Sequence, residues 1–469
     1  TKKLSIADIP NVGVIYIDPN ATVDLELYAT RNQILDSTHL KLHIAESRIS
    51  IVASPSPDER IYVDAIINPS TLDPYGNLHV ALPSSGYDRF GRLRTSTPQL
   101  VFESHLVYDS QTDSWGEFLS SGSTGSYNSL ESSYLLTIDS LTDSYATRQT
   151  HRYFTYFPGM GYLMMFTGVL GTPKPNLASR IGYFDDNDGI FFEGYNGNLA
   201  ITLRTSTSGT KTETRVFQDS WNLDTMDGYG PSKIILDPSK TQIFALDFSW
   251  LGVGGVRCSL IIGQQIINVH EFILTNVIDK VYMKTPNLPI RYEIRNLGAT
   301  GSSSSLKQIC CSIIKEGEGD LVARSRSVNN GSTTRDIDAV QFTSILAIRL
   351  RDNYLRSSFK LDSYSVFFTT TADVLIEIVL NPTLTNPTFN PFNSAMEYDA
   401  VASAIAGGSV IHSEYLRGAQ TRTNLTNLVN TKEIFGSRAN GTKDIVAIRV
   451  KTLSGNSKCA AVLNFSETH

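Results

Sequence analysis

A chain of 469 residues exceeds what one hydrophobic core organises, and implies roughly two to four domains. It is 41% apolar but only 18% charged, with a net charge of −6, so its surface is built from Ser, Thr, Asn and Gly. The absence of a Lys/Arg stripe argues against sequence-independent grip on nucleic acid, and no run of about 18 apolar residues predicts a membrane helix.

Strand formers are plentiful and Ala-Glu-Lys-Leu blocks are scarce, which predicts an all-β chain with little helix. Residues 1–85 read as an N-terminal β domain and a candidate particle anchor. Strands are predicted at Val12–Ile17, Thr22–Tyr28, Leu40–Ile44 and Ile61–Ile67, separated by turn clusters such as Asp18-Pro19-Asn20 and Asp73-Pro74-Tyr75-Gly76. Thr1 to Asp8 holds no apolar signal core, so no secretory leader is expected. Tyr87–Pro98 is a connector. Alternation puts Arg92 and Arg94 on one face there, as candidates for ion pairs between domains or subunits.

Residues 86–320 are predicted to form a central β-sandwich. Arg148–Phe157 reads as an aromatic strand, and Tyr162–Phe166 as a continuous apolar one. Ile181–Phe184 and Ile190–Glu193 flank Asp185-Asp186-Asn187-Asp188-Gly189, a hairpin turn by its Asp-Gly step. Val256–Ile262 and Ile266–Phe272 form a second hairpin across Gly263-Gln264-Gln265. Residues 321–469 give a C-terminal sandwich in which Ile345–Leu350 and Ile445–Val450 echo one another, while Met396–Ala406 reads as a short helix. The expected fold is therefore all-β, with tandem jelly-roll-like β-sandwich domains.

Motifs with chemistry are sparse. The Asp185–Gly189 loop fails the EF-hand pattern at its first position, Phe184, and at the closing position, Tyr195. Cys258, Cys310, Cys311 and Cys459 lack zinc spacing and read as buried reduced thiols. No metal and no cofactor are expected. Asp185, Asp186, Asp188 and Trp221 remain candidates for contacting a cation or a glycan. Glycoside hydrolysis needs two carboxylates in one cleft. Spacing nominates no such pair, because Glu316, Glu318 and Asp320 alternate with glycines and read as an exposed tip. No enzymatic activity is expected on that ground.

A set of motifs then carries a resemblance. It runs from Tyr87-Asp88-Arg89-Phe90-Gly91-Arg92-Leu93-Arg94-Thr95 through Tyr156-Phe157-Pro158-Gly159, Arg180–Asp185, Gly189–Glu193 and Gln218–Asn222. It ends in Trp250–Gly254 and Thr285–Ile294. Over roughly residues 87–315 the chain resembles large β-rich virion structural proteins of tailed phages and of giant viruses of aquatic hosts. That resemblance implies a virion protein assembled in the host cytoplasm, a symmetric homo-oligomer (a trimer first) contacting other virion proteins, in a decoration, cement or fibre role. The alternative is a carbohydrate-binding module that recognises a host surface glycan.

Overall fold

The structure, a computed structural model, describes residues 98–469 except 264, 317–322, 393, 425–433, 439 and 469, together with four N-terminal strands. Contacts divide the chain into Thr1–Ser84 and Ser85–His469. In the first unit Leu4–Ser5, Glu26–Thr30, Arg48–Ser56 and Glu59–Ile66 form one four-stranded sheet. The strands expected at Val12–Ile17 and Leu40–Ile44, and the Arg92 and Arg94 connector, lie outside the described residues.

The second unit is all-β, with tandem jelly-roll-like β-sandwich sheets and, among the described residues, two single 3-10 turns in place of helix. Two sheets face each other in its central part. The front sheet has seven strands, in the order Thr212–Phe217, Asn198–Thr205, Gly189–Tyr195, Leu177–Phe184, Ile290–Asn296, Tyr145–Thr150, Trp115–Leu119. The back sheet has eight, centred on Gln242–Ser249, Tyr162–Val169 and Ser304–Glu316. Strand alternation sends one set of side chains from each sheet into a shared core. Ile181, Tyr183, Ile190, Phe192, Tyr292 and Ile294 come from the front, and Met164, Phe166, Phe244, Leu246 and Phe248 from the back. Phe192 meets Phe244 at 4.9 Å between ring centroids, and Tyr183 meets Phe248 edge-on at 5.7 Å. Deleting such a ring, as in Phe192→Ala, removes about 3–5 kcal/mol.

The aromatic strand expected over Arg148–Phe157 stops at Thr150. Beyond it only Phe154 makes a bridge, to Leu288, while the Phe154 and Tyr156 rings are buried. Their burial, rather than strand pairing, accounts for the dense aromatics.

The C-terminal part is a nine-stranded sheet around a second core. Its long strand Ser358–Leu380 pairs with Ser457–Thr468 through Phe368 and with Val446–Thr452 from Val374 onward. One strand thus serves both halves of the sheet. The two echoing segments are direct antiparallel neighbours, with Ala347 opposite Ala447 and Ile348 opposite Val446. The helix expected at Met396–Ala406 is instead two short strands, Met396–Asp399 and Ala404–Ala406. Pairing with Thr343–Leu350 and Thr383–Thr385 overrides the local Ala and Glu preference, and the buried Asp399 carboxylate accepts from the Thr388 and Ala402 amides.

Candidate functional site

The central strands of the front sheet are buried on both faces: every residue of Leu177–Phe184 is buried. One face is the apolar core. The other carries Ala178, Arg180, Gly182 and Phe184, a composition that needs polar partners. Sheet register supplies them. Arg180 stands opposite Glu193 on one side and Glu293 on the other. Thr147 lies beyond Glu293, with Phe118 opposite Thr147, and Ala200 and Phe217 extend the row at the far edge. The next row runs Gln149, Arg291, Gly182, Phe191, Thr202, Arg215.

These side chains form a continuous ion-pair lattice. Arg180 donates from Nε to Glu193 at 2.9 Å and from Nη1 to Glu293 at 2.6 Å. The other Glu293 oxygen receives Arg291 Nη1 at 3.1 Å, and the same nitrogen reaches Asp186 at 2.6 Å. Arg291 Nε donates to Gln149 at 2.7 Å. Glu193 also accepts from the Thr202 hydroxyl and from Arg215, and Arg204 pairs with Glu213. Arg204 lies over both Phe184 and Phe191, at 5.3 and 4.8 Å, so aromatic faces complete the cations' surroundings.

Burial opposes the charge of Glu293, Arg180 and Arg204, and the neighbouring charges override it at the first two but not at the third. The Glu293 carboxyl would be pushed up by burial, yet Arg180, Arg291 and Arg204 hold it at about 2. Burial pulls Arg180 down, and Glu293, Glu193 and Glu213 raise it above the ordinary arginine value. Arg204 is lowered, first by burial and then by the nearby Arg180.

The lattice opens on a cleft of about 280 Å³ lined by Phe118, Tyr145, Thr147, Asp186, Arg291, Glu293 and Arg295. Tyr145 is 39% exposed and sits opposite Arg295 across the strand pair. Arg295 differs from its neighbours: its Nε is buried without a hydrogen-bond partner, and it makes no ion pair among the described residues. The cleft therefore combines two aromatic rims, fixed donors and acceptors, and one uncommitted guanidinium.

Sequence reasoning found only one residue of this site, Asp186. Its carboxylate is largely exposed and paired with Arg291. Asp185 and Asp188 serve the hairpin instead. Asp185 accepts from the amides of Asn187 and Asp188; Asp188 accepts from the amides of Ser206 and Lys284 and from the Ser206 hydroxyl. Arg356, from the C-terminal part, pairs with both, so these carboxylates tie the two parts together. Gly189 closes the turn at φ +141°, where a Cβ would collide with Phe184. Among the described residues no His, Cys, Asp and Glu group has metal-holding geometry. Trp221 packs in the core and donates from Nε1 to the Val216 carbonyl at 3.2 Å, so it offers no open ring face.

No family model matches the chain, and no curated protein does. Solved structures of β-sandwich proteins do. A glycoside hydrolase family 16 endo-glucanase from Bacteroides ovatus is 11% identical, covers 46% of this chain and all of its own, with a TM-score of 0.32. A pseudo β-1,3-glucanase and immunostimulatory antigen of Mycobacterium tuberculosis is 10% identical over 47% of this chain and 99% of its own, with a TM-score of 0.33. The carbohydrate recognition domain of Emp47p is 12% identical over 47% of this chain and 97% of its own, with a TM-score of 0.29. A likeness of this size assigns no activity, substrate or partner to this chain. These neighbours are glycoside hydrolase and lectin-like folds rather than virion proteins, and they lend no support to a capsid or tail setting.

The expectation that the chain is not an enzyme is corrected here. It rested on the lack of a nameable carboxylate pair. The structure removes that ground, because it brings Glu193 and Glu293 onto one sheet face on either side of Arg180. The pair is held by Arg180 between its members, which fixes both carboxylates in the lattice.

Proposed function

We propose that the chain is a glycan-recognition protein whose binding site is the cleft on the outer face of the front sheet. The observation that carries this reading is the combination of two aromatic rims, the half-buried Phe118 and the exposed Tyr145, with a floor of planar polar groups locked by ion pairs. A sugar presents an apolar ring face and a fixed array of hydroxyls. Flat rings take the first, and preorganised guanidinium, carboxylate and hydroxyl groups take the second at little entropic expense. The cleft is of the size of a single sugar ring. The test is binding to an immobilised glycan array, followed by calorimetry on the best probe. Phe118→Ala and Tyr145→Ala should each weaken binding at least tenfold with an unchanged melting temperature. Unaltered affinity in both variants overturns the site. Reducing ends released from the bound probe would make the same cleft hydrolytic.

A virion setting rests on a different observation, the motif set over residues 87–315. In that reading the recognition module is displayed as a symmetric homo-oligomer on a phage or large-virus particle, and Arg92 and Arg94 hold neighbouring subunits or domains. Native mass measurement of the wild type and of the Arg92→Ala, Arg94→Ala double variant tests it. A wild type that stays monomeric at high concentration refutes the oligomer.

A further inference from the structure

Five guanidiniums stand on the outer face of the front sheet: Arg180, Arg204, Arg215, Arg291 and Arg295. Four carboxylates face them, Glu193, Glu213, Glu293 and Asp186. The bonds use up the carboxylates: Glu293 spends one oxygen on Arg180 and the other on Arg291, and Asp186 is taken by Arg291. Arg295 is the cation left over. Its position in the register explains why. Across the strands it meets Tyr145 and Ala178, neither of which carries charge. No group among the described residues accepts the buried Nε hydrogen or pairs with the charge, so the guanidinium that lines the cleft is held by no anion of the lattice. A planar fork of donors beside an aromatic rim matches a carboxylate, which accepts two parallel N–H bonds from one guanidinium.

From this we infer that the cleft takes acidic sugars, uronates or sialic acids, with the sugar carboxylate bound by Arg295 and the ring against Tyr145. The inference rests on the glycan reading of the same cleft and names its substrate class. The neutral residues around Arg295 make the match selective. An added carboxylate meets no competing charge across the strands, and the lattice acids are already neutralised by Arg180 and Arg291.

The experiment compares matched pairs on the intact chain: sialyllactose against lactose, and galacturonan fragments against the same fragments with their carboxyls methyl-esterified. The free acid of at least one pair should bind at least tenfold more tightly than its neutral partner. That advantage should shrink as salt is raised from 50 to about 200 mM. Arg295→Gln should abolish the difference and leave the neutral affinity in place, and Arg295→Lys should keep part of it. Arg295 makes no ion pair among the described residues, so both variants should melt with the wild type, and a melting scan checks that. Equal binding of acid and neutral partners overturns the inference and leaves glycan recognition standing. Failure of every acidic and neutral probe to bind overturns both. An acid preference that survives Arg295→Gln assigns the carboxylate elsewhere and refutes the role of Arg295.

Discussion

Replacing Glu293 with Gln keeps the shape of the side chain and removes one charge from the lattice. Glu293 is only 7% exposed, and its folded-state pKa of about 2 lies below its ordinary 4.5 despite burial, because Arg180, Arg291 and Arg204 surround it. That difference corresponds to about 3 kcal/mol of stability at neutral pH. A separate route gives a similar size: removing one partner of a buried ion pair removes about 3–5 kcal/mol, since the remaining charges stay buried without it. In a unit this large each kcal/mol moves the midpoint by about 2 °C, so Glu293→Gln should melt roughly 6–10 °C below wild type at pH 7. The acid limb gives a sharper signature. As pH falls, the unfolded chain binds the Glu293 proton first, near pH 4.5, and the folded chain binds it only near 2. The stabilisation is complete above about pH 5 and drains away between there and pH 2. Differential scanning calorimetry at pH 7, 4 and 3 should show the gap between wild type and variant narrowing steadily. A variant that melts within about 2 °C of wild type at pH 7, or a gap that stays constant to pH 3, refutes the idea that the lattice holds this sheet face together.

Further perturbations probe other parts of the fold. His151 is lowered, chiefly by burial and then by Arg438, with Asp444 and Asp113 opposing. The unfolded chain therefore takes its proton first, so stability should fall as pH drops below about 6.5, and His151→Gln should flatten the melting profile between pH 6.5 and 5. Chelator should leave the melting temperature within about 2 °C, because the Asp185 and Asp188 oxygens are occupied by backbone amides and Arg356; a larger fall would place a cation there. Cys258, Cys311 and Cys459 are buried, and burial raises each thiol, that of Cys459 to about 12. An aromatic disulfide reagent should thus modify Cys310 alone in the native chain, and rapid reaction of more than one thiol would contradict the packing.

How much of this was readable in the sequence follows from the range over which each feature is specified. The hairpin at Asp185–Gly189 is written in five consecutive residues, and the Gly263 hairpin in three, so both are legible and both form. The segment Met396–Ala406 misleads for the opposite reason: its Ala and Glu favour helix locally, while its partners lie about 50 residues upstream in Thr343–Leu350 and nearer by in Thr383–Thr385. The site lies at the far end of that scale. Arg180 is bracketed by Glu193, 13 residues away across one hairpin, and by Glu293, 113 residues away across a strand whose place in the sheet no local pattern announces. A reader of the sequence sees Arg-Ile-Gly-Tyr-Phe and Arg-Tyr-Glu-Ile-Arg as strands with charges on one side, and the natural inference is a solvated face. The usable signal was the number of those charges. Arginine at 180, 204, 215, 291 and 295 recurs on strands whose alternate residues are large and apolar, and a sheet face holding five guanidiniums stays stable only with carboxylates interleaved among them. Counting the two kinds along the paired strands gives the lattice. The one arginine that the count leaves over marks where the molecule has donors to offer a ligand.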